Sequence, residues 1–139
     1  MKSKNKLQIN DFDHFLFDAA GVIYNDKGLI NNTEKVIKKC QEIGSVHLVT
    51  NNSYMYPTFI NQKLQELGIV IPVENIISSG HGLKFDPYIN SLIKNKVIYL
   101  LGEKSTRPYA EEAGVASITE NINKSDVIVL AAFLNHYDK

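Results

Sequence analysis

The stretch His14-Phe15-Leu16-Phe17-Asp18-Ala19-Ala20-Gly21-Val22-Ile23-Tyr24 decides how the rest of the chain is read, because an aspartate ends an apolar run and a glycine follows it. A continuous apolar segment without polar alternation fits a strand buried on both faces, as in a parallel sheet covered by helices. Open α/β sheets bind ligands at the carboxyl ends of their strands, which puts Asp18 on the functional rim. Gly21 can take the backbone angles that a turn beyond the strand requires. An aspartate that merely caps a turn would look the same in isolation, so its partners elsewhere in the chain decide its meaning.

Downstream of this run, Asn25-Asp26-Lys27-Gly28 has the composition of a tight turn leading into a small flap. Asn31 followed by Glu34 predicts a capping box, and Val36, Ile37, Cys40 and Ile43 recur at helical spacing up to Gly44. Val46-His47-Leu48-Val49-Thr50 is a second strand that gives way to the polar rim Asn51-Asn52-Ser53. A helix from Pro57 to Gly68 follows, then a third strand over 75–80. Apolar spacing predicts a helix over 81–93 that Pro87 starts, kinks or breaks. A fourth strand over 96–101, a helix over 105–113 and a fifth strand over 126–133 complete the pattern. Strands alternating with helical crossovers predict an α/β fold with a parallel sheet and right-handed connections.

The pair Phe17-Asp18-Ala19-Ala20-Gly21-Val22-Ile23-Tyr24 and Leu48-Val49-Thr50-Asn51-Asn52-Ser53 resembles the first two motifs of the haloacid dehalogenase (HAD) superfamily, with the spacing of its NagD-like phosphatase branch. Leu67-Gly68-Ile69, Ile77-Ser78-Ser79-Gly80, Tyr99-Leu100-Leu101-Gly102-Glu103, Asp126-Val127-Ile128-Val129 and Asn135-His136-Tyr137-Asp138-Lys139 extend the resemblance over nearly the whole chain. It implies a Rossmann-like three-layer core with a partial parallel sheet, over 1–82, joined to the first part of an α/β cap domain over 83–139. It further implies phosphate monoester hydrolysis. In the mechanism this resemblance implies, Asp18 would attack phosphorus and form an aspartyl phosphate that water hydrolyses. Mg²⁺ would be held by Asp18, the backbone carbonyl of Ala20 and a later acidic motif. Thr50 and the N–H of Asn51 would bind the phosphoryl oxygens.

Two departures from the family pattern shape the expectation. The family places a second aspartate, the general acid, two residues after the nucleophile, and here that residue is Ala20. General acid catalysis contributes roughly 10² to 10⁴ in rate, so esters of poorly acidic alcohols suffer most. No match to the family's later lysine or acidic pair occurs, and the chain is read as the N-terminal half of such a protein, inactive by itself. The resemblance then leaves the Asp18 strand with an open edge, which predicts self-association. The alternative is a noncatalytic α/β remnant or anion-binding module that needs a second polypeptide to complete its fold. A third reading, a phosphoacceptor domain, lacks an acidic cluster around Asp18.

Composition narrows the partners. Fifteen Lys and Arg balance fifteen Asp and Glu over 139 residues, so nothing points to nucleic acid or an anionic membrane. The basic opening Met1–Lys6 precedes no apolar segment of signal-peptide length, and no run approaches the roughly 20 residues of a membrane span. One cysteine, Cys40, excludes an internal disulfide and fits a cytoplasmic protein. The expected partner is a small phosphorylated substrate. Gly102-Glu103-Lys104-Ser105-Thr106 lacks the glycines of a phosphate-binding P-loop. The four histidines, His14, His47, His81 and His136, have no ligand spacing. Tyr54 and Tyr56 follow the second motif, where they either border a substrate pocket or pack.

Overall fold

The computed structural model describes residues 8–131. The expected basic tail over 1–6, the end of the fifth strand at Phe133 and the match over 135–139 therefore lie outside the described residues. Two compact units emerge, one formed by the chain up to Thr50 with Asn61–Ile77, the other by Asn51–Ile60 with the chain from Ser78 onward.

In the first unit, β1 (His14–Phe17) pairs in parallel with β4 (Ser45–Thr50), from His14 opposite Ser45 to Phe17 opposite Leu48. The sheet order is β1-β4-β5, with β5 spanning Ile76–Ser78. Among the described residues β1 is thus an edge strand. Its side chains alternate, and Leu16 is 67% exposed, so the expectation of burial on both faces does not hold. Successive side chains of a strand point to opposite faces of the sheet, and the face that carries Leu16 is left uncovered among the described residues. β4, which has a strand on either side, buries Val46, Leu48 and Thr50.

A two-stranded hairpin, β2 (Tyr24–Asn25) with β3 (Gly28–Leu29), forms the flap. Helix α1 (Thr33–Ile43) begins differently from the capping box expected at Asn31. Its N-cap is Asn32, held at φ 66° with no side-chain cap bond, while Glu34 reaches forward to Lys38 at 2.5 Å. An i,i+4 ion pair thus takes the carboxylate that a capping box would have turned back. Gly44 ends α1 for a reason other than a left-handed cap. A Cβ there would lie 2.2 Å from the Asp13 carbonyl oxygen, and that carbonyl accepts the Ser45 N–H at 2.9 Å. Ile23, Ile37, Cys40, Leu48, Leu64, Ile69, Ile71 and Ile76 are all buried in this unit. Burial also raises the Cys40 thiol pKa, which leaves it an apolar filler with little thiolate. Helix α2 (Pro57–Glu66) begins at the expected proline.

In the second unit the predicted helix over 81–93 is two helices, α3 (Gly82–Phe85) and α4 (Pro87–Ile93). Pro87 sits in the first turn of α4, and Asp86 caps it by accepting the Ile89 N–H at 2.8 Å. A parallel sheet in the order β7-β6-β8 joins β6 (Val97–Leu101), β7 (Ser117–Thr119) and β8 (Val127–Leu130). Helix α5 (Arg107–Glu112) contributes Ala110, which packs with Ile93, Ile98 and Ala113 in the core.

Candidate active site

Asp18 follows β1 directly, and Thr50 is the last residue of β4. Because the strands run parallel with Phe17 opposite Leu48, both residues stand at the same, carboxyl, end of neighbouring strands. Asp18 is exposed and Thr50 is buried to 5% exposure. The Asp18 Oδ1 accepts the Ala19 N–H at 2.8 Å, which fixes the carboxylate against its own turn. Oδ2 has no hydrogen-bond partner among the described residues and is open to an electrophile or a cation.

The turn itself is tight. The Ala19 carbonyl accepts from Ile23 and Tyr24 at 2.9 and 3.2 Å, and Gly21 donates to the Tyr24 carbonyl at 2.8 Å. Gly21 has φ 83°, the left-handed region that its lack of a side chain permits. Ala19 is fully buried, while Ala20 is exposed. Lys63 lies 4.3 Å above the Tyr24 ring in the same unit, a cation–π contact.

Asn51, the residue after Thr50, begins the second unit. Its carbonyl accepts the Ser79 hydroxyl at 2.9 Å. Asn52 has a role that its sequence position did not suggest: its side-chain oxygen accepts the N–H groups of Tyr54 and Met55 at 3.1 and 3.2 Å, an Asx turn that shapes the loop. Tyr56 packs edge-on to Tyr109 with ring centres 4.9 Å apart and donates its hydroxyl to Glu112. Burial and the Glu112 carboxylate push the Tyr56 pKa up to about 12, so its phenol stays a donor at neutral pH. A cavity of about 220 Å³ in this unit is lined by Ser53, Thr106 and Tyr109 among others, and neither Tyr54 nor Tyr56 borders it.

Among the described residues no three His, Cys, Asp or Glu side chains form a group that could hold a metal ion. Mg²⁺ takes six oxygen ligands, usually one or two carboxylates completed by water and phosphate. Asp18 and the Ala20 carbonyl amount to two such donors, which do not by themselves make that site. Asp126 is occupied otherwise, since its Oδ2 accepts the Val97 N–H at 2.9 Å. The His14 and His47 rings lie 5.8 Å apart and are tilted by 47°, and His81 accepts the Ser78 N–H on Nδ1.

Residues 15–116 match the family model of haloacid dehalogenase-like hydrolases. The chain belongs to this family. As a HAD-like chain it is 29% identical over 114 residues to a 4-nitrophenylphosphatase of Schizosaccharomyces pombe, covering 79% of this chain and 38% of that protein. A phosphoglycolate phosphatase of Arabidopsis thaliana is likewise 29% identical, over 84% of this chain and 38% of its own length. Among solved structures, the glycerol phosphate phosphatase Rv1692 of Mycobacterium tuberculosis, crystallised with magnesium, shares the fold at a TM-score of 0.77 and 14% identity, with 91% of this chain and 38% of that one covered. The HAD-like chain thus spans about two fifths of the length of these curated relatives. No helix of its described residues is long and apolar enough to cross a membrane.

Proposed function

We propose that this chain carries the nucleophile and phosphate-binding portion of a HAD-type phosphate monoester hydrolase of the NagD-like branch. Asp18 is the nucleophile. Its free carboxylate oxygen attacks phosphorus, the bond to the ester oxygen breaks, and water later cleaves the aspartyl phosphate to return the carboxylate. Thr50 and the Asn51 N–H hold the phosphoryl oxygens as charge develops on them. The supporting observation is the parallel β1–β4 register, with Asp18 and Thr50 at the carboxyl ends of adjacent strands.

Ala20 has no proton to give the departing alkoxide, so the reading favours esters whose alcohols are already acidic. Magnesium would supply charge neutralisation, with Asp18 and the Ala20 carbonyl among its ligands and further carboxylates coming from outside the described residues. By itself the chain then binds a phosphorylated small molecule without turning it over. The open side of β1, with Leu16 exposed, favours the companion reading that a second polypeptide pairs there, or a second copy in its absence.

The test is magnesium-dependent release of phosphate from 4-nitrophenyl phosphate by the chain and by Asp18→Asn. Equal, background rates are expected from both. Turnover that disappears in Asp18→Asn would establish the nucleophile and overturn the claim that the chain alone is inactive.

A further inference from the structure

The loop over 51–56 is tied by its backbone to side chains distant in sequence. Three of its carbonyls are taken by side-chain hydroxyls from elsewhere in the chain. Ser79 donates to the Asn51 carbonyl, Ser105 to the Tyr54 carbonyl, and Tyr109 to the Met55 carbonyl at 2.7 Å. The partners lie 28, 51 and 54 residues away in sequence. We propose that Ser79, Ser105 and Tyr109 are positioning residues, a hydroxyl clamp that holds the loop beginning at Asn51 as a preformed phosphate-binding turn.

Tyr109 is the centre of the clamp. The phenol has one proton, and the Met55 carbonyl can only accept, so Ser78, whose hydroxyl lies 2.5 Å away, donates to the phenolic oxygen. Both residues are 3% exposed, where an unsatisfied hydroxyl would be costly. The ring reaches this place because residue 80 is glycine. A Cβ at Gly80 would lie 2.6–2.7 Å from the ring carbons of Tyr109. His81 adds a perpendicular ring contact at 5.3 Å. The far end of the loop is tied down by the bond from Tyr56 to Glu112, which Lys84 also contacts at 3.3 Å.

Donors held in place before the ligand arrives need no reorganisation when charge develops, and that is what a clamped loop provides. The inference rests on the phosphate-binding role proposed for Asn51, and its test separates the two. Amide hydrogen exchange and affinity for inorganic phosphate are measured on the full chain and on Tyr109→Phe, which keeps the ring and removes the hydroxyl. Exchange over 53–56 is expected to quicken about tenfold, the worth of a typical hydrogen bond, with β6 amides unchanged and phosphate affinity lowered. Ser105→Ala should reproduce the loosening from a half-buried position, and Ser105→Thr, which keeps the hydroxyl, should restore it. Unchanged exchange in the loop, uniform quickening across the second unit, or a looser loop with undiminished phosphate affinity would each overturn the clamp. An unsubstituted chain that binds no phosphate, with a loop that still loosens in Tyr109→Phe, would refute the phosphatase reading and leave the clamp supported.

Discussion

Replacing Gly44 by alanine should destabilise the first unit out of proportion to one added methyl group. The new Cβ would stand 2.2 Å from the Asp13 carbonyl oxygen and 2.7 Å from its carbon, whereas ordinary contact begins at 3.4 Å. One backbone must therefore retreat by about 1.2 Å, the difference between the contact limit and the shortest distance. No flexible side chain can give way instead, because the obstructing atoms are main chain. Retreat loosens the bond from the Ser45 N–H to that carbonyl, which opens the β1–β4 ladder. The hydrogen bond contributes about 1 kcal/mol and overpacking costs about 1–3 kcal/mol. Alanine recovers roughly 0.4–1 kcal/mol by restricting the unfolded chain, since φ at Gly44 is −162° and any residue adopts it. The net loss is about 1–3.6 kcal/mol, equivalent to about 4–29 °C in Tm for a unit of this size. Thermal melting by circular dichroism checks it against Gly82→Ala, where a Cβ meets nothing within 4 Å. Equal melting temperatures for the two variants would refute the close-approach argument.

Three further outcomes follow from the same contacts. His81, desolvated, has its pKa held below the ordinary 6.5, and Glu112, bonded to Tyr56, has its pKa held below 4.5. Each contributes stability that is full above its ordinary value and lost as pH falls through the lowered one. The second unit should therefore melt earlier through this acid range, and Glu112→Gln should flatten the lower part of the profile; identical profiles would contradict the pairing. Tyr56 has the opposite sign, with stability full below pH 10 and lost as pH rises towards about 12, so Tyr56→Phe should remove that alkaline limb from the same melting series. Leu16→Lys, at an exposed edge position, should change stability by less than about 0.5 kcal/mol and reduce self-association in sedimentation velocity; an unchanged sedimentation coefficient in an associating sample would remove β1 from the interface.

Much of the arrangement could be read from local pattern. Apolar runs that end in Asp18 and Thr50 marked two strands with a shared rim, and Pro87 marked a helix start. What escaped was set by distant partners. β7 is only Ser117-Ile118-Thr119, too short for a periodic pattern, and it exists because Ile118 pairs with Ile98. Leu16 looked like core because an apolar run does not reveal whether both faces of its strand are covered. Gly44 looked like a helix stop, whereas its requirement comes from Asp13, thirty-one positions earlier. The hydroxyl clamp joins serines and a tyrosine of no recognisable spacing, so no motif could have announced it.

The central claim, that Asp18 faces a phosphate held at Thr50 and Asn51, is tested most directly by titrating inorganic phosphate into the chain and into Asp18→Asn in metal-free buffer, following backbone amide shifts. Two like charges about 4 Å apart repel by roughly 1–4 kcal/mol between water and a protein surface. Removing the carboxylate charge should therefore tighten phosphate binding at least several-fold, with the largest shifts at Thr50 and Asn51 in both proteins. Equal affinities, or shifts that leave Thr50 and Asn51 unmoved, would contradict it.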